Sequence, residues 1–125
     1  MELRSVEELM DLLYAGRHQR ALRTAALLRR GRPADKELQV AGLVHGIEEP
    51  PGPADGAAHA VRHLLGERVY HLVRGDGAAA HDDVLRLRQA DEESRTARFD
   101  AGVLEDWRTV LELVAARNSR LGAVD

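Results

Sequence analysis

Apolar residues recur at helical spacing along most of this chain. Val6, Leu9, Met10 and Leu13 share one stripe, and Ser5 followed by Glu8 forms a capping box. A first helix is therefore predicted to about Tyr14, stopped by Gly16. A second, from about Arg17 to Arg30, turns Ala21, Leu22, Ala25, Ala26 and Leu28 inward and ends at Gly31 and Pro33. Next comes Leu38 to Ile47, apolar on nearly every side, with Asp35 as its N-cap. Leu38, Ala41 and His45 lie on one stripe of this helix, and Val40, Val44 and Ile47 cover the opposite side. So little of it is left for water that it is predicted to be the centre of the fold.

The prolines of Glu48 to Pro53 exclude a helix and predict a loop. Asp55 then caps a helix with Ala57, Ala58, Val61, Leu64 and Leu65 inward and His59, Arg62 and His63 outward. Gly66 breaks it, and Glu67 to Arg74 forms a short helix burying Val69, Leu72 and Val73. After the Gly75-Asp76-Gly77 turn, a helix from about Asp82 carries Val84, Leu87 and Asp91 on one stripe. The final helix, from about Gly102 to Asn118, repeats Leu104, Trp107, Leu111 and Val114 at alternating spacings of three and four. The prediction is an all-α bundle of about seven helices in a single domain covering 1–125.

Composition supports this reading. Only four residues are aromatic (Tyr14, Tyr70, Phe99, Trp107), so packing falls to Ala, Leu and Val. The absence of cysteine excludes disulfides and thiolate metal sites. No signal peptide or membrane-spanning apolar run is read, so a cytoplasmic protein with no membrane partner is expected. A net charge of −3 gives no global pull toward nucleic acid. Arg17, Arg20, Arg23, Arg29, Arg30 and Arg32 make the second helix locally basic, but no aromatic residues interleave with them as stacking platforms. They are read as a solvated face paired with neighbouring acids, and nucleic acid is not expected as a partner.

Several candidate motifs have simple structural readings. His59 and His63 stand one turn apart, but Ala60 occupies the position where a zinc protease needs its glutamate, so they read as surface residues. His81-Asp82-Asp83 sits at a helix start, where acidic residues serve as caps. Glu48 and Glu49, beside prolines, read as exposed.

Four pieces in order carry a resemblance to a known family. Arg20 to Leu27 is similar to a "His-Ala-Leu-Gln-Thr-Ala" helix. Leu38 to Ile47 resembles a central "apolar-Ala-x-Leu-x-His" helix. Gly66-Glu67-Arg68-Val69 to Arg74 is similar to "Gly-Glu-Arg-Val…Val-Arg". Leu85 to Glu92 resembles a late "Leu-Arg-x-Asp-Asp" helix. These segments resemble the HD-domain metal-dependent phosphohydrolases and oxygenases, in particular the di-iron oxygenases of phosphonate breakdown. The resemblance implies metal ligands at Arg20, at His45 and Gly46, near Pro53 to Asp55, at Asp76 and at Asp91. Of that set only His45 and Asp91 keep the family residue. Two or three ligands beside a permanent cation do not hold a metal tightly, so no metal and no cofactor are expected.

The expected site is therefore His45 and Asp91, with Arg20, Asp76 and Tyr14 as binding residues. A carboxylate on an apolar stripe needs a partner, and Arg20 can supply one, giving an Arg20–Asp91 ion pair beside His45. On the helical wheel Arg20 lies beside Leu27, off the centre of the core face, so a solvated Arg20 is the other reading. The expected role is binding of a small ligand or a protein partner, a second copy of the chain included. The alternatives are a metal-independent enzyme with His45 as acid–base group, or a residual metal enzyme using His45, Asp76 and Asp91. His45 as a core histidine simply hydrogen-bonded to Asp91 is the remaining reading.

Overall fold

The computed structural model describes residues 4–16, 18–45, 56–75 and 81–123, with all their side chains except those of 56–60 and 120–123. Among the described residues there are seven α-helices and no strand: α1 (Val6–Ala15), α2 (Gln19–Gly31), α3 (Lys36–Val44), α4 (Gly56–Leu65), α5 (Glu67–Arg74), α6 (His81–Ser94) and α7 (Arg108–Ala123). A short 3-10 turn, Leu104–Trp107, leads into α7. The chain is an all-α bundle, as its periodicity predicts. No described helix is long and apolar enough to cross a membrane.

The helix ends follow from local chemistry. Ser5 Oγ accepts from the Glu8 amide at 3.2 Å, and Glu8 Oε1 accepts in return from the Arg4 amide at 3.1 Å. Asp35 caps α3 by accepting from the Leu38 amide at 3.1 Å. Between α2 and α3, Gln39 is fully buried, and its Nε2 donates to the carbonyls of Arg32 (2.8 Å) and Pro33 (3.2 Å). That side chain supplies partners for carbonyls at the end of α2.

α3 is the central element. Every residue from Leu38 to Val44 is buried, and the helix packs against α2, α5, α6 and α7. A fully buried leucine or valine stabilises the fold by roughly 1.5–3 kcal/mol, so this helix is a major source of core energy. It reaches its neighbours closely because position 42 is glycine. A Cβ there would lie 2.5 Å from Leu28 Cδ1 and 3.3 Å from Thr24 Cγ2. Leu104, Trp107, Leu111 and Val114 are all buried, as their spacing predicts.

Two boundaries differ from expectation, the end of α3 and the start of the last helix. α3 ends at Val44, with His45 as its C-cap in helical backbone. α6 begins at His81 with Asp82 and Asp83 in its first turn, the helix start that the sequence predicts, and Asp83 also pairs with Arg68 at 3.1 Å. The last helix is not continuous from Gly102: Asp100 Oδ1 accepts from the Gly102 amide at 2.8 Å, and Gly102 has φ +85°. That turn holds the backbone out of helix until Leu104. Arg17, Gly46, Ile47, the proline-loop positions 48–53, Asp55, Asp76 and Gly77 lie outside the described residues.

Arg68 on α5 ties three helices together. It makes a two-pronged contact to Asp35 (both bonds 2.7 Å) and reaches Glu37 at 3.2 Å and Asp83 at 3.1 Å. The first of these links the arginine directly to the N-cap of α3.

Candidate functional site

The residues singled out by sequence on α2, α3 and α6 meet at one carboxylate. Arg20 Nη2 donates to Asp91 Oδ1 at 2.7 Å, and His45 Nε2 lies 3.0 Å from the same oxygen. The ion pair expected between Arg20 and Asp91 is present, and His45 is beside it. Arg20 approaches from the α6-facing side of α2, together with Thr24 one turn later. The wheel position beside Leu27, which left a solvated Arg20 open, is the edge at which α6 packs on α2.

The other contacts of each group fix its orientation. His45 Nδ1 lies 2.8 Å from the Gly42 carbonyl, one turn back on its own helix. Both ring nitrogens therefore face acceptors. Arg20 Nε donates to Ser94 Oγ at 3.4 Å, while Ser94 Oγ donates to the Asp91 carbonyl at 2.6 Å. Thr24 Oγ1 stands 3.0 Å from both Ser94 Oγ and the Arg20 carbonyl, and its single proton serves one of them at a time. Arg23 Nε donates to the Ser94 carbonyl at 3.1 Å, anchoring the end of α6.

The cluster is half-buried: the side chains of Arg20, Asp91 and His45 are 41%, 25% and 21% exposed. It is thus neither a sealed core network nor a loose surface pair. Among the described residues Arg20 Nη1 carries no hydrogen bond, leaving one guanidinium nitrogen for an outside acceptor.

Thr24 and Ser94 were missed by sequence reasoning. Ser94 follows Asp91 by three residues and Thr24 follows Arg20 by four, so both share a helix face with a recognised residue. That spacing was the available signal. Gly42 contributes a carbonyl and the absence of a side chain, neither of which leaves a chemical signature in sequence.

Tyr14 stands apart from this cluster. It is half-exposed on α1, donates to Glu105 Oε2 at 3.2 Å, and meets His18 edge-on with ring centroids 5.7 Å apart. Asp76 lies outside the described residues. Arg62 and His63 face outward on α4 as expected. The basic face of α2 is corrected in one respect. Among the described residues Arg29 and Arg30 pair with no acid but lie over aromatic rings, with Cζ 5.0 Å from the Trp107 centroid and 5.2 Å from that of Phe99. These rings are distant in sequence, so interleaving could not reveal them.

Comparison with models of known protein families, with curated proteins and with solved structures gave no match.

Proposed function

We propose that this chain is a metal-free, catalytically degenerate relative of the HD-domain proteins, whose role is to bind a small ligand or a protein partner where α2, α3 and α6 meet. One observation carries the reading: the Asp91 carboxylate is shared between a guanidinium and an imidazole, drawn from the three helices on which the resemblance puts metal ligands. A metal ion needs several nitrogen and oxygen lone pairs converging on one point. Here Asp91 Oδ1 is taken by Arg20 and His45, both nitrogens of His45 face acceptors, and the third group is a permanent cation. This donor set does not fit a metal. The residues instead hold one another, and Arg20 Nη1 supplies a charged donor toward an anionic group on a ligand.

The same geometry favours binding over acid–base catalysis. A general base needs a ring nitrogen within reach of its substrate, and His45 would first have to turn one nitrogen away from Gly42 or Asp91.

Metal analysis tests the reading. Protein made without a histidine tag and supplied with iron, manganese and zinc is expected to retain less than about 0.1 metal ion per chain. Arg20→His combined with Gly46→Asp, which removes the cation and restores two ligand types, is expected to raise the content severalfold. Near-stoichiometric metal in the unaltered protein would sink the metal-free reading. No gain in the double variant would sink the kinship.

A further inference from the structure

A second feature lies at the other end of α2. Arg29 and Arg30, in its last turn, line an open surface pocket of about 310 Å³ together with Ala26, Phe99, Asp100 and Ala101. We propose that this pocket is a binding site for a small oxyanion carrying one apolar ring, an aryl phosphate or an aryl carboxylate.

The argument begins with the two guanidiniums. Each bears five N–H donors and a charge that no accessible pH removes. Among the described residues neither makes a hydrogen bond or an ion pair; each is held over a ring instead, Arg29 over Trp107 and Arg30 over Phe99. A cation–π contact uses the charge of a guanidinium and consumes none of its N–H donors, which stay unspent. It also restricts a long side chain before any ligand arrives, which lowers the ordering cost of binding. Forked donors of this kind match the paired oxygens of a carboxylate or phosphate.

The rest of the lining sets the size and character of the ligand. Ala26, Ala101 and Phe99 give an apolar wall, and the volume is at the small end of the roughly 300–1,000 Å³ typical of small-molecule pockets. Asp100 is the one acidic residue in the lining, and its Oδ1 is engaged by the Gly102 amide. Two cations against one carboxylate leave a net positive lining. A carboxylate in the wall opposes the run of backbone phosphates that a nucleic acid would present, so a single-headed small anion suits the site better.

The chain contains one tryptophan, and it lies under Arg29, so its emission reports on the site. Phenyl phosphate and benzoate are titrated separately, with inorganic phosphate in parallel, following Trp107 fluorescence and the heat of binding. Saturable binding is expected for at least one aryl anion, at least tenfold tighter than for inorganic phosphate, and the tighter of the two identifies the headgroup. Arg29→Gln and Arg30→Gln should each weaken it about tenfold or more, the scale of one lost charged hydrogen bond. Arg30→Lys keeps the charge but not the fork and should still weaken it severalfold. Arg86→Gln, at an exposed position on α6, should leave affinity unchanged. Circular dichroism confirms that each variant is folded. Non-saturating titrations, unchanged affinity in folded Arg30→Gln, or inorganic phosphate binding as tightly as the aryl anions would overturn the assignment. So would displacement of the aryl anion by a single-stranded oligonucleotide of higher affinity. None of these outcomes depends on the Arg20–Asp91 cluster.

Discussion

If Asp91 holds α2, α3 and α6 together, removing its charge while keeping its shape should be costly. Asp91→Asn does this, since the amide is nearly isosteric and the helix is otherwise undisturbed. A unit charge pair about 4 Å apart is worth about 4 kcal/mol at an effective dielectric of 20, before desolvation and side-chain ordering take most of it back. Exposed pairs net only about 0.2–1 kcal/mol, whereas breaking a fully buried pair costs about 3–5 kcal/mol. With Asp91 25% and Arg20 41% exposed, and with His45 on the same oxygen, this cluster falls between those limits. The expected loss is about 2 kcal/mol. For a chain of this length that lowers the melting temperature by roughly 8 °C, readable by circular dichroism near neutral pH.

A cycle with Arg20→Met separates the pair from other effects of each change. Because the two groups share a 2.7 Å contact, the double variant should lose less than the two single losses added together, by about 1 kcal/mol. Additivity to within about 0.3 kcal/mol would show that Arg20 and Asp91 act independently. A melting shift of less than about 1 °C in Asp91→Asn would show that the carboxylate holds nothing, and the view of this cluster as a replacement for a metal centre would fall with it.

The parts of the fold legible in sequence were those set by local periodicity. The stripe through Leu104, Trp107, Leu111 and Val114, the cap at Ser5 and the burial of α3 from Leu38 to Val44 each depend on local spacing, and each is as expected. The start of the last helix, read at about Gly102, was placed slightly early because an Asx turn at Asp100 and a positive φ at Gly102 hold the backbone out of helix until Leu104. The Arg20–Asp91 pair spans 71 residues and was reached only through the family resemblance. Helical periodicity on its own left Arg20 at the edge of the core face. Two further cross-helix arrangements, Arg68 among three carboxylates and Arg29 over Trp107, left no trace in sequence. Each needs the mutual placement of elements that local patterning does not supply.

Two further predictions concern the elements that position α3. Gly42→Ala places a methyl 2.5 Å from Leu28 Cδ1 and 3.3 Å from Thr24 Cγ2, both on buried residues. Overpacking of about 1–3 kcal/mol should outweigh the roughly 1 kcal/mol that alanine gains in helix propensity. A urea midpoint equal to or above that of the unaltered protein would refute the close approach of α2 and α3. Arg68→Met should destabilise by roughly 1–2 kcal/mol at neutral pH, because it removes a two-pronged contact to the N-cap of α3 and single contacts to Glu37 and Asp83. The Arg68 hydrogen bonds hold the Asp35 carboxyl below its ordinary value of 3.8. A carboxylate depressed in the folded state stabilises it above the unfolded pKa, and that contribution is lost as pH falls through the lower, folded one. The gap in melting temperature between the unaltered protein and Arg68→Met should therefore be widest near pH 7 and shrink steadily below about pH 4. A gap that stays constant down to about pH 2.5 would mean that Arg68 works through packing of its methylene stem rather than through the charge on Asp35.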